Sequence, residues 1–136
     1  MKTLKFNKQM TAAIKEGRKT QARGVLSIQP PSGFTYDGIE IWSAVFSRDD
    51  ALLQVHFPFQ RHNHIDDETI VRITKFQVEH LGDISESDCA KEGIGSALTR
   101  DLKRPQFEAL WRSIYPTGEK AWRDDLWVWV IDFEVV

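Results

Sequence analysis

Ile70-Val71-Arg72-Ile73-Thr74-Lys75-Phe76-Gln77-Val78-Glu79-His80-Leu81 is one long run of strand-forming residues with a break in its phase. Side chains alternate along an extended chain with a period of two, so Val71 and Ile73 share one face. Phe76 and Val78 have the opposite parity. One extra residue near Thr74-Lys75, a β-bulge, would bring all four to the same side. Bulges bend their strands, and bent strands curl sheets towards barrels. The stretch therefore predicts a strongly curved sheet.

The flanking segments supply the other elements. Ser85-Glu86-Ser87-Asp88 has the form of a capping box, with Ile84 and Cys89 placed as its staple and Gly93 as the stop of a short helix. Phe107, Leu110, Trp111 and Ile114 recur at i, i+3, i+4 and i+7 behind Pro105, which predicts a further helix ended by Pro116 and Gly118. Leu126–Val135 is apolar on both faces until its end, as a central strand would be. Ile39–Phe46 and Leu52–Phe57 read as strands joined by a turn at Ser47-Arg48-Asp49-Asp50, and Arg61–Asp67 reads as a polar turn. Near the start, Phe6, Met10, Ala13 and Ile14 form the stripe of a helix over about 8–16, with Asn7 as its N-cap and Gly17 as its end. The expected fold is a single α+β domain over residues 1–136, with a bent sheet and three short helices.

With 136 residues the chain is long enough for one well-buried core. Cys89 is the sole cysteine, so no internal disulfide can form. No apolar run approaches the ~20 residues that span a bilayer, and the charged N-terminus lacks the apolar centre of a signal peptide. A soluble, cytoplasmic protein with no membrane partner is expected. Residues 1–24 hold seven Lys/Arg against Glu16, a net of +6, whereas the remainder carries a net of −8. Positive charge gathered after a helix end, in Gly17-Arg18-Lys19-Thr20-Gln21-Ala22-Arg23, suits an anion such as phosphate.

Three segments in order resemble the ASCH superfamily, small PUA-like β-barrels. The stretch Gly17 to Arg23 is similar to that family's G-x-K-x-x-T-x-R signature. Phe76 to Asp88, running on to Glu92-Gly93-Ile94, looks like the strand-turn-helix of its phage and prophage members. Phe107 to Tyr115, followed by Trp122 and Trp127 to Phe133, resembles the closing helix and strand. The resemblance implies a PUA-like bent barrel whose cleft beside the signature takes RNA or a nucleotide-like ligand in the host cytoplasm. One branch of the family deacylates N4-acetylcytidine with a lysine, a threonine nucleophile and a glutamate. Lys19 matches the lysine, but Ala22 and Arg72 stand where the threonine and glutamate are expected.

Non-catalytic binding of RNA or a nucleotide-like anion is therefore the leading expectation, with Gly17, Arg18, Lys19, Thr20, Arg23 and Arg72 as ligand-binding residues. A divergent amidohydrolase using Lys19, Thr20 and Glu79 is the alternative, and a module binding a protein partner is a third. No cofactor or metal is implied. His62-x-His64 with Asp66 and Asp67 lacks the convergent third ligand that a zinc site needs, and reads as a polar loop. His56 reads as a partly buried strand residue. Trp111, Trp127 and Trp129 fall on apolar stripes and are expected in the core. Trp42 and Trp122 are the tryptophans left for a ligand.

Overall fold

A computed structural model describes residues 1–40, 42–94 and 102–136. In chain order the elements are β1 (Lys2–Thr3), α1 (Lys8–Lys15), β2 (Gln21–Val25), β3 (Thr35–Ile39), β4 (Ser43–Arg48), β5 (Ala51–His56), β6 (His62–His64), β7 (Ile70–His80), α2 (Glu86–Lys91), α3 (Lys103–Ile114) and β8 (Trp127–Val135). A single 3₁₀ turn, Leu81–Asp83, joins β7 to α2. Five strands form one curled sheet in the order β1-β6-β7-β8-β2, and β3-β4-β5 form a separate antiparallel meander. This is the α+β bent barrel expected from the sequence.

The bulge lies where the phase break required it. Ile73 pairs with Phe133 and Lys75 with Asp132, so Thr74 is the extra residue. Val71, Ile73, Phe76 and Val78 consequently point to one side, opposite Val135, Phe133, Ile131 and Trp129 of β8. On that side Ile14 of α1 packs over Val71, Ile73, Ile131 and Phe133. The meander covers the rest of the same face, with Phe46, Val55 and Phe57 against Val78 and Trp129. On the opposite face Val128 and Val130 meet Cys89 of α2 and Phe107 and Trp111 of α3. β8 is central, as its double apolarity implied.

The helices follow their end signals. Asn7 caps α1 by accepting the Met10 N–H at 2.8 Å, and Gly17 takes the left-handed turn after it at φ 80°. Ser85 caps α2 by accepting the Asp88 N–H at 3.0 Å. Leu102 offers α3 no side-chain cap, and the Glu86 carboxylate takes that role from α2, accepting the N–H groups of Lys103 at 2.7 Å and Arg104 at 2.9 Å. These donors hold the Glu86 carboxyl below its ordinary range. No helix among the described residues is long and apolar enough to cross a membrane.

Four expectations need correction. Ile39–Phe46 is two strands: Glu40 and Ser43 exchange main-chain hydrogen bonds of 2.9 and 3.1 Å across a tight hairpin, and Trp42 sits at φ 65°. That left-handed conformation costs a non-glycine residue about 1–2 kcal/mol, offset here by the edge-on contact of Trp42 with Phe76 at 4.8 Å. Arg61–Asp67 contains β6, which lies inside the sheet between β1 and β7, with buried Asn63 donating to the Gln60 carbonyl at 2.8 Å. The segment read as a basic loop, Gly17 to Arg23, runs into β2, an edge strand paired to β8 from Gln21 to Val25. His56 is exposed on β5 rather than partly buried.

Candidate functional site

Between the end of α1 and the start of β2 the chain turns inward. The N–H groups of Arg18 and Lys19 both return to the Ala13 carbonyl, at 2.9 and 3.1 Å. Lys19 is thereby aimed under the sheet edge, where only 4% of it remains exposed. Its ammonium donates to the Gln21 carbonyl at 2.9 Å, the Glu92 carbonyl at 3.1 Å and the Glu92 carboxylate at 3.2 Å. All three of its protons are committed.

Arg23, four residues after Lys19 and two after Gln21 on the same face of β2, has a side chain with no exposure at all. Its Nε and Nη2 both reach Glu79 Oε1, at 3.1 and 2.5 Å, and Nη2 also reaches Asp88 Oδ2 at 3.2 Å. Nη1 donates to Gln21 Oε1 at 2.5 Å, and the Gln21 amide donates to Asp132 Oδ1 at 2.7 Å. Nη1 also stands 4.0 Å from Glu92 Oε2, which ties the two cations into one network. Burial pushes the Glu92 carboxyl above the ordinary carboxylate range, while Lys19 and Arg23 pull the other way.

A cleft of about 320 Å³ opens beside this network. Phe6 and Met10, leading into and along α1, form one wall; Leu110, Trp111 and Tyr115 of α3 and its end form the other. Lys19, Ala22, Arg23 and Glu92 make the floor. A second hollow continues from it past Ala13, Gly93 and Gln106. At the rim stands exposed Lys5, and the Lys120 ammonium lies 5.7 Å from the centre of the Tyr115 ring. Trp111 is fixed by donating from Nε1 to the Lys120 carbonyl at 2.8 Å.

The residues expected from the sequence divide into two groups. Lys19 and Arg23 meet at the cleft floor, and Glu79 stands behind it as the partner of Arg23. Gly17 shapes the approach, and Arg18 is exposed, paired with Glu16 at 2.7 Å at the edge of the second hollow. Thr20 is exposed outside the cleft, where its N–H reaches the Lys91 carbonyl at 2.8 Å, while Ala22 faces the cleft. Arg72 does not join them, because it pairs with Glu134 across β7 and β8 on the outer surface. A bare cationic pocket is likewise not what forms, since Glu79, Asp88 and Glu92 neutralise both floor cations. Glu92, Asp88 and Gln21 were missed as site residues, since Glu92 is 73 positions from Lys19 and Asp88 is 65 from Arg23. The available signal was the spacing of 19, 21 and 23, three polar residues on one face of a strand.

Trp111 was expected in the core alone, yet it also walls the cleft. Trp122 packs against Phe107 and Trp111, and Trp42 lies across the sheet against Phe76. Cys89 is buried, and burial pushes its thiol up to about 11, far from the thiolate a nucleophile needs. His62 and His64 point to one side of β6, and among the described residues no group of three metal-ligating side chains gathers there or elsewhere.

No family model matches the chain, and no curated protein matches it. Among solved structures, protein EF3133 of Enterococcus faecalis, of family DUF984, superposes on 99% of this chain and 79% of its own length, with a TM-score of 0.53 and 18% identity. The likeness is one of fold. An ASCH domain from Lactobacillus crispatus aligns over 98% of this chain and 78% of its own, with a TM-score of 0.48 and 16% identity.

Proposed function

We propose that the cleft takes one base of RNA, or of a free nucleotide, without transforming it. The observation that carries this is the meeting of two chemistries in one small space. The walls of Phe6, Met10, Trp111 and Tyr115 suit a flat ring, and the floor of Lys19, Glu92 and Arg23 offers fixed polar groups to its edge. Stacking on an aromatic side chain contributes about 1–3 kcal/mol per base. The phosphate falls to Lys5 at the rim and to Lys120 beside the Tyr115 ring, because the protons of Lys19 are already committed. Binding by one or two rim cations weakens only gently with salt, by a slope of about −0.7 per phosphate contact on single strands.

Acyl transfer through a serine or threonine hydroxyl finds no support among the described residues that line the cleft. None of them is serine or threonine, and Thr20 lies outside it. Resemblance to the ASCH superfamily favours an RNA or nucleotide ligand, and the position of Ala22 favours binding over hydrolysis.

Tryptophan fluorescence, titrated with short single-stranded RNA and with the four nucleoside 5′-monophosphates, tests this. Saturable quenching is expected, weakened by roughly ten-fold in Tyr115→Ala and less in Lys5→Glu. Absence of binding by RNA and nucleotides alike, or equal affinity in both variants, ends the proposal. Incubation with N4-acetylcytidine should leave it intact; release of cytidine would establish the amidohydrolase alternative instead.

A further inference from the structure

β2 is an edge strand, and its register divides its main chain into two sets. At its ends the Phe133 N–H donates to the Thr20 carbonyl at 3.0 Å and the Leu26 N–H to the Trp127 carbonyl at 3.2 Å. Residues of that parity, Ala22 opposite Ile131 and Gly24 opposite Trp129, turn their N–H and C=O groups towards β8, because an antiparallel ladder alternates between bonded and open pairs. Gln21, Arg23 and Val25 turn theirs the other way.

The open side is the cleft side. Lys19 lines the cleft, and its ammonium reaches the outward carbonyl of Gln21. Arg23 supports the same conclusion independently. Its side chain is wholly covered, yet the residue as a whole is half-buried, so the surface it shows is main chain. Neither its N–H nor its C=O has a main-chain partner outside the strand pairing among the described residues.

We infer that the main-chain N–H and C=O of Arg23 read the Watson–Crick edge of the base in the cleft. An adjacent donor and acceptor on one residue match an adjacent acceptor and donor on the ligand. Every nucleobase carries such a pair on that edge: a ring N–H beside a carbonyl in uracil and guanine, or an amino group beside a ring nitrogen in cytosine and adenine. A base already paired in a duplex has none to offer. The site therefore selects unpaired bases, and its discrimination among the four comes from the side chains that line the cleft beside Arg23, Glu92 among them.

An added peptide strand is the competing occupant of any open sheet edge. Here the edge is interrupted at Gln21, whose carbonyl is already taken by Lys19, and the opening beyond Arg23 is walled by Tyr115 and Trp111. One residue of exposed ladder suits a base better than a strand.

This inference rests on the nucleotide reading of the cleft, and amide hydrogen exchange by NMR on the full chain separates the two. In the free protein the amides of Ala22 and Gly24 should exchange slowly and that of Arg23 at least ten-fold faster, about the contrast between a ladder bond and an open amide. Adding the nucleoside 5′-monophosphate that quenches tryptophan fluorescence should slow the Arg23 amide by roughly ten-fold. Methylation of that nucleotide on its Watson–Crick edge should abolish the slowing. A strongly protected Arg23 amide in the free protein overturns the inference. Bound nucleotide with an unchanged Arg23 amide overturns it while leaving the cleft as a nucleotide site. Failure of short single-stranded RNA and of all four nucleotides to bind removes both.

Discussion

On one face of β8, Trp129, Ile131 and Phe133 meet aliphatic and aromatic neighbours from α1, β7 and the meander. On the other, Val128 and Val130 hold α2 and α3, and the same surface carries Asp132, Gln21, Arg23 and Glu79 in a hydrogen-bonded network. Both faces belong to one strand in one sheet. The dry face contributes burial free energy, roughly 1.5–3 kcal/mol for each large side chain. The wet face removes charged groups from water, and a buried ion pair seldom outdoes an apolar replacement in stability. Folding alone does not account for placing two cations and three carboxylates under a sheet edge. The proposed ligand gives that arrangement a use.

The comparison can be broken or sharpened by substitution. Trp129→Ala on the dry face should cost most, about 3–5 kcal/mol in urea unfolding, because its ring lies 4.3 Å from that of Phe57 inside a closed cluster. Arg23→Met on the wet face should cost about 3 kcal/mol, the lower end for breaking a buried pair, since Glu79 and Asp88 keep 22% and 20% of their side-chain exposure and can turn to water. A larger loss from Arg23→Met than from Trp129→Ala would contradict this division between the faces.

Lys19→Met should cost less than either at low pH, and the loss should grow as pH rises. Glu92 already sits above the ordinary range and loses the pull of Lys19, so its folded pKa rises further. The folded variant then holds a proton that the unfolded chain releases above about pH 4.3. Stability is full below that value and falls as pH climbs through the folded pKa. Urea unfolding at three pH values between 4 and 8 measures the trend, and a flat profile would mean that Glu92 finds another cation. Glu86→Gln should have the smallest effect. Its carboxyl is held below the ordinary range, so its contribution is present above that range and is lost as pH falls. Faster exchange of the Lys103 and Arg104 amides, with the rest of α3 unchanged, is the expected sign.

The fold was legible wherever a local rule was enough. Parity along Ile70–Leu81 placed a bulge near Thr74-Lys75, and the apolarity of Leu126–Val135 placed that strand inside the sheet. Asn7, Gly17 and Ser85 marked helix ends by capping chemistry. The hairpin at Glu40–Ser43 was hidden because no glycine or asparagine signals it, and tertiary contact with Phe76 supports a tryptophan in the left-handed region. β2 was hidden because its glutamine, arginine and glycine have the composition of a loop, and only pairing to β8 makes it a strand. Lys19 and Arg23, picked out by charge and spacing, both line the candidate cleft. Its charge balance was not legible, since the carboxylates that face them arrive from β7 and α2.

Thr74 decides more than the curvature of its strand. Downstream of it every side chain has exchanged sides, so Glu79 stands beneath Arg23 and Val78 among the aromatic rings. Were Thr74 to take a regular place opposite Asp132, every later residue would slip one position along β8 and the pattern would invert, driving a carboxylate among hydrocarbon and leaving a guanidinium facing valine. A single supernumerary amino acid thus acts as a phase shifter, through which the first half of the strand dictates where acid can appear in the second.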